Sequence, residues 1–416
     1  MNFDTVIIGG GLSGLVCGIR LLNKGQRCAI VSSGQSALHF SSGSFDLLNS
    51  LPNGEEVTNP LTVIDDLIQL CPSHPYAKLG KEKFSALATE AVDFFKEIKI
   101  PIIGEVQKNH YRITPMGVLK PTWLSIEGYA TGKEKDKLPW RKVSIFNIIG
   151  FMDFYPRFIA DEFAKLGTES EIELFDLEHL HHLRRNPSEM RSTNIARVLD
   201  QHITDLSDVI NRETSDDSDA IIFPACIGLD YDVIEKLREL VKKPVFLIAT
   251  MPPSIVGIHT QQYLHDYFLQ HGGVYMLGDN VLKSDMEGKR IKRIYSFNHG
   301  DIPFSAQNFV LATGSYFSQG LIATPTRIYE PVFNLDVEYS DNRTEWYTPE
   351  MFSSQNYQHY GVKTDNHSRG KLNGSPIDNL YVAGAVLEGF NPIKEGSGAG
   401  VSILSALAIA ETIFNK

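Results

Sequence analysis

Hydrophobic positions along the chain follow two rhythms. Residues 3–8, Phe3-Asp4-Thr5-Val6-Ile7-Ile8, form an extended apolar run, and residues 15–22 change to helical spacing until Gly25 stops them. Arg27-Cys28-Ala29-Ile30-Val31 is extended again. The opening therefore predicts strand, turn, helix and a second, parallel strand. Residues from about Cys71 to Ser254 read as an insertion, because Pro72, Pro75, Pro101, Pro115, Pro121 and Pro139 break the pattern into short pieces around one amphipathic helix over 84–99. Residues 191–218 are polar and turn acidic, which suits an exposed connection. A strand at 220–223, a helix over 231–241 and a strand at 245–248 predict a small βαβ unit inside the insertion. A helix over 261–271, stopped by Gly272-Gly273, marks the return to the first unit. Short strands with a turn at Glu287-Gly288 then lead to an apolar strand at 309–312, another at 380–383, and an Ala-rich closing helix over 401–414.

The first turn carries the clearest chemistry. Gly9-Gly10-Gly11-Leu12-Ser13-Gly14 lies between a strand and a helix. There Gly9 permits a tight turn, Gly11 lets the backbone approach a phosphate, and Gly14 lets the helix pack on the strand. Free N–H groups and the positive end of the helix dipole then face an anion. Such folds ordinarily place Asp or Glu at the end of the second strand to hold an adenosine ribose. This chain has Ser32-Ser33-Gly34 there, and no acidic residue occurs between Gly14 and Asp46. The absence weakens NAD and conventional FAD binding and leaves a mononucleotide such as FMN untouched.

Further glycine-rich turns recur along the chain. Residues 34–44 form a small-residue loop in which Ser41, Ser42 and Gly43 are candidate ligands for phosphate or a flavin edge. Thr313 and Gly314 end the strand at 309–312, and Gly384 ends the strand at 380–383. Gly396, Gly398 and Gly400 open the closing helix, where N–H groups would face a second negative locus, such as the electron-rich edge of a reduced flavin.

Composition narrows the classes. A chain of 416 residues with 42% hydrophobic content has room for two globular units, and a net charge of −11 argues against nucleic acid as a partner. No apolar run reaches the roughly 20 residues that span a bilayer, and no signal peptide is recognisable, so a cytoplasmic location is expected. Cys17, Cys28, Cys71 and Cys226 form no CxxC pair, and no metal site is expected from them. His179, His181 and His182, beside Arg184 and Arg185, lack the spacing of a metal motif and read as a solvated helix face. His39 is an acid–base candidate, although a lone histidine is more commonly structural. Lys120, Lys133, Arg141, Lys142 and Arg157 are candidate cations for a phosphorylated substrate. His39, His259, His359 and Lys394 are the titratable groups nearest in sequence to the cofactor loops; no catalytic base is assigned among them.

The turns at 9–14, 312–314 and 384–400, in that order, resemble the flavin-dependent oxidoreductase superfamily. The opening through Leu47, with its QSALHFSSGS loop at 35–44, more closely resembles the B subunits of anaerobic glycerol-3-phosphate dehydrogenases. The resemblance implies an α/β, Rossmann-like FAD/NAD(P)-binding-type flavoprotein fold with a large inserted α/β second domain. The expected division is 1–70, 256–329 and 365–416 for the flavin-binding domain and 71–255 with 330–364 for the second. It also implies FMN, with FAD as the alternative. The implied reaction is oxidation of sn-glycerol 3-phosphate to dihydroxyacetone phosphate, with electrons passing to quinone and then fumarate or nitrate. The implied partners are an FAD-containing A subunit and an iron–sulfur C subunit that attaches the complex to the inner face of the cytoplasmic membrane. A non-catalytic flavin-binding or electron-relay scaffold, or a soluble FAD-dependent oxidoreductase of another substrate, stays open as a reading of the residues.

Overall fold

A computed structural model describes residues 1–229 and 232–415. Its N-terminus follows the predicted order: β1 (Asn2–Ile8), α1 (Leu12–Asn23) and β2 (Cys28–Ser32). β1 and β2 pair in parallel with Val6 opposite Ala29. The apolar spacing of α1 buries Leu15, Val16 and Ile19 against them. α2 (Lys81–Glu97) is the predicted amphipathic helix, and it buries Phe84, Ala88, Ala91 and Phe95.

A second sheet follows. It contains β3 (Lys142–Ile148), β4 (Glu169–Phe175), β5 (Ala220–Pro224) and β6 (Val245–Ile248). Its four strands run parallel in the order β4-β3-β5-β6. β5, the helix Val233–Leu240 and β6 are the predicted βαβ unit; Tyr231, the first residue of the predicted helix, lies outside the described residues. β3 and β4 have no counterpart in the sequence reading. β3 is buried at every position and β4 at only one, so neither shows the two-residue alternation of a half-buried strand.

The chain then returns to the first sheet through α3 (Ile255–Gln270) and β7 (Val274–Leu277). α3 begins six residues earlier than the spacing predicts, because the Ser254 hydroxyl accepts from Gly257 N at 3.1 Å and caps the helix. β8 (Val281–Glu287) and β9 (Arg290–Ser296) form a hairpin, and β10 (Phe304–Leu311), β11 (Arg369–Leu372), β12 (Ser375–Val382) and α4 (Gly398–Phe414) complete the fold. Parallel pairing gives the order β7-β2-β1-β10-β12. β9 pairs antiparallel with the opposite end of β10. Strand order reverses between β1 and β10. At such a reversal, connections leave to opposite sides and open a crevice beyond the carboxyl ends of the strands.

Two apolar cores divide the residues differently from the expected domains. The first core takes residues 6–100 together with Trp123, Leu124 and residues 264–413; the second takes Ile113 and residues 129–256. Residues 71–100, expected in the inserted unit, pack into the first core, because α2 buries its apolar face beneath α4. Phe333, Leu335 and Val362, expected in a return to the second unit, also pack there. No helix among the described residues is long and apolar enough to cross a membrane.

Candidate functional site

The crevice between β1 and β10 is a cleft of about 880 Å³. Its floor is Gly9, Gly10 and Gly11, with Ala312 and Thr313 across from them. The three glycines answer to different demands. Gly9 has φ +112°, and a Cβ there would lie 2.1 Å from the Ala312 carbonyl oxygen; at Gly14 a Cβ would lie 2.0 Å from Gly9 O. Packing alone demands both. At Gly11 the nearest atom to a Cβ would be Ser36 Cβ at 3.9 Å, so the fold leaves space there that a ligand would use. α1 has neither a side-chain cap nor an acidic residue in its first turn, so its leading N–H groups face the cleft without a protein acceptor on a side chain.

The far wall is the start of α4. Gly398, Ala399 and Ser402 line the cleft, and the first turn again lacks a side-chain cap and an acid. A buried pair holds this turn in place. His74 Nδ1 accepts from Tyr76 N at 3.0 Å, which leaves Nε2–H to donate to Glu395 at 3.1 Å. The Glu395 carboxylate also accepts from Asn391 N and from the Ser397 hydroxyl, while its backbone carbonyl accepts from Asn49 N at 2.7 Å. His74 and Glu395 are separated by more than three hundred residues, and nothing in their local sequence marked them.

The sequence candidates separate accordingly. Gly9, Gly11, Ser41, Thr313, Gly314 and Gly398 line the cleft. Gly14, Ser42, Gly43, Gly384, Gly396 and Gly400 do not, and packing explains most of them. A Cβ would lie 2.4 Å from Ser13 Oγ at Gly384, 2.4 Å from Asn49 Nδ2 at Gly396 and 2.3 Å from Tyr76 OH at Gly400. Gly43 turns with φ +83° against Val256 and Tyr129, and Ser42 Oγ lies 3.4 Å from Ser44 Oγ. Thr313 Oγ1 is sealed from solvent without a hydrogen-bond partner, although it lies in the cleft wall. A bound polar group would satisfy it. Helix N–H groups, an open glycine and an orphaned hydroxyl converge on one cleft, and that donor set fits an anionic, heteroaromatic cofactor such as a flavin.

The cleft continues past β2 along Ser33, Gly34 and residues 279–282. At the end of β2, Ser32 donates to Gly34 O at 3.0 Å where a carboxylate was sought. Asp279, brought in by β7, lies beside it and donates its backbone N–H to Ser32 O at 3.1 Å. Its carboxylate accepts from Asn298 N and pairs with His299 Nδ1, each at 2.9 Å. Burial opposes its ionisation, but the Asn298, Ser296 and His299 hydrogen bonds hold its pKa below the ordinary value.

Histidines near the cofactor loops are withdrawn from water. Burial pushes His39, His259 and His359 below the usual histidine pKa, so they stay neutral at pH 7. None of them lines the cleft. Among the candidate cations, Lys142 pairs with Glu171 and Asp217 at 2.7 Å each, and Arg141 donates to Asp217 O; Lys133 and Arg157 are exposed. Of the histidines read as a solvated face, His181 and His182 are exposed as expected, and His179 is half-buried. His179 Nε2 donates to the Asp205 carboxylate at 2.9 Å and the ring stacks on His202 at 3.5 Å, while His181 and Arg184 meet Asp176. His179, His202 and Asp205 bring ligand atoms within 4.8 Å of one another, a grouping hidden from the sequence because His179 lies on a different element from His202 and Asp205, which open one helix.

Comparison with known proteins agrees with this geometry. The family model described as "FAD binding domain" matches residues 4–401. The B subunit of the anaerobic glycerol-3-phosphate dehydrogenase of Yersinia enterocolitica is 47% identical, with 99% of this chain and 98% of that protein covered. The B subunit of the Pectobacterium carotovorum enzyme is 43% identical, covering 100% and 99%, and that of Aliivibrio fischeri 39%, covering 100% and 96%. The chain belongs to the FAD-binding flavoprotein family and, within it, to the family of anaerobic glycerol-3-phosphate dehydrogenase B subunits.

Proposed function

We propose that the chain is the flavoprotein B subunit of a respiratory dehydrogenase that oxidises sn-glycerol 3-phosphate to dihydroxyacetone phosphate. Electrons would leave through an FAD-containing A subunit and an iron–sulfur C subunit that attaches the complex to the membrane, and quinone would carry them to fumarate or nitrate. The observation that carries the flavin is the meeting of two uncapped helix starts, α1 and α4, across one glycine-floored cleft. Full-length identity to named B subunits supports the substrate and the complex.

Gly9, Gly11 and the first turn of α1 would hold the phosphate part of the cofactor, Thr313 the ring or ribityl side, and Gly398 and Ala399 the electron-rich edge. When bound, the flavin supplies a two-electron acceptor for a secondary alcohol. The protein's own contribution is to seat it with N–H donors and to exclude water behind Phe45 and Val332, which line the same cleft. Two observations bear on which flavin it is. FMN is supported by Ser32 at the end of β2 and by Asp279, whose two carboxylate oxygens already accept hydrogen bonds. FAD is supported by the continuation of the cleft along residues 279–282, which offers room beyond the phosphate turn.

The test is to purify the chain, release its cofactor by heat and identify it by chromatography. FMN is the expected product; FAD would move the adenosine into the 279–282 end. A colourless chain that turns yellow only with its partner subunits would place completion of the site at an interface. A chain that binds no flavin in either state would overturn the proposal.

A further inference from the structure

Beside the wall formed by Phe45 and the start of α4 lies a second polar group that the cofactor does not account for. Asp46 follows Phe45 directly, and its backbone carbonyl accepts from Gly400 N at 2.9 Å in the first turn of α4. Its Oδ1 is sealed from solvent without a hydrogen-bond partner, and so are Asn49 Oδ1 and Arg112 Nε. Native proteins rarely leave several such atoms together unless something polar binds among them.

The strands facing Asp46 explain how cations reach it. Strand His110–Ile113 pairs antiparallel with Leu119–Thr122, with His110 opposite Thr122 and Arg112 opposite Lys120. Residues two apart, and residues directly opposite, share one face of a ladder. His110, Arg112, Lys120 and Thr122 therefore line one face; Thr122 is buried at one end and Lys120 exposed at the other. Among the described residues, no carboxylate lies within ion-pair distance of Arg112 or Lys120, unlike Arg141 and Lys142. Burial raises the Asp46 pKa, while Arg112, Thr122, Asn49 and Lys120 act to lower it.

We propose that this polar cluster beside the cleft wall is where a phosphorylated secondary alcohol binds, with Arg112 and Lys120 holding the phosphate and the Asp46 carboxylate accepting the hydroxyl proton. The inference rests on the flavin reading above. The chain's own part in the step would be to take the alcohol O–H proton on Asp46 as the carbinol C–H bond breaks and the C–O bond becomes a carbonyl; a bound oxidised flavin would supply the two-electron acceptor for the departing hydride. Carbon loses two electrons, the flavin gains them, and no other reactant is needed. Asn49 positions Asp46; it is not assigned contact with substrate.

The experiment uses the holo-complex with its partner subunits and measures three things on each variant: flavin content of the B subunit by absorbance after separation from its partners, inorganic phosphate binding by calorimetry, and turnover of sn-glycerol 3-phosphate with a dye acceptor. Arg112→Gln and Lys120→Gln are expected to weaken phosphate binding and raise KM at least tenfold, with flavin content unchanged. Asp46→Asn is expected to lower kcat at least a hundredfold while phosphate binds as well or more tightly, since a negative neighbour is gone. Lys120 is exposed, so its variant decides the case should Arg112→Gln fail to fold. Wild-type phosphate affinity and turnover in K120Q and D46N, in a complex that still carries flavin, would overturn the assignment. Absence of flavin from the B subunit of the wild-type complex would instead overturn the reading on which it rests.

Discussion

Among the described residues, two sheets have a run of parallel strands whose order reverses, and one of them has an open crevice at the reversal. In the first sheet the reversal lies between β1 and β10, and glycines leave it open. In the second it lies between β3 and β5, and the chain fills it with itself. Phe151, Phe154 and Met190 join the apolar core there, and the Asp200 carboxylate accepts from Gly228 N and Leu229 N, each at 2.8 Å, beyond the end of β5. The backbone N–H groups that could take a ligand anion in one sheet already hold a protein carboxylate in the other. Topology offers a crevice; side-chain volume and the fate of a few N–H groups decide whether it becomes a site.

The largest effect should come from closing the open crevice. Gly9→Ala puts a Cβ against the Ala312 carbonyl at a residue with φ +112°. It should cost about 3 kcal/mol or more and abolish flavin retention, read by chemical denaturation and absorbance. Gly11→Val sharpens the contrast, because the fold has space there: Tm should stay within a few degrees while flavin per chain falls more than tenfold. A flavin-replete Gly11→Val would show that the cradle lies elsewhere.

Next in size is the response to acid at the seam between the two cores. His110 sits on the ladder that joins them, since Ile113 packs in the second core and Trp123 in the first. Burial pushes its pKa down to about 4. The unfolded chain takes up this proton as pH falls below about 6.5, whereas the folded chain waits until about 4, so stability is complete above the first value and lost between the two. The loss is about 3 kcal/mol, and His110→Asn should flatten that segment of the denaturation-versus-pH curve.

In the closed sheet, Asp200→Ala orphans two backbone donors and should cost about 2 kcal/mol in stability with flavin content unchanged. A loss of flavin instead would mean that the two sheets are coupled. The smallest effect is expected for Thr313→Val. Its hydroxyl lacks a protein partner, so stability should hold or rise slightly, while flavin affinity should fall by up to about tenfold, or ~1.4 kcal/mol.

Local spacing was enough to read the opening βαβ unit, α2, the β5–β6 unit and most of α3, because each is amphipathic or apolar over its own length. It also marked the glycine turn of the first crevice, where Gly14 is required by Gly9 a few residues before it, although the contact that requires Gly9 is with Ala312, far along the chain. β3 and β4 escaped because full burial of one and exposure of the other erase the two-residue period. Tertiary structure alone separated glycines that face the cleft, such as Gly11 and Gly398, from glycines that merely let Tyr76 or Asn49 pass, as at Gly400 and Gly396. It alone brought Asp279 to Ser32, His74 to Glu395, and Asp46 under Arg112. A strand or helix is decided by neighbours a few residues apart, whereas a polar site is decided by which distant segments meet, and that information resides in the packing of the whole chain.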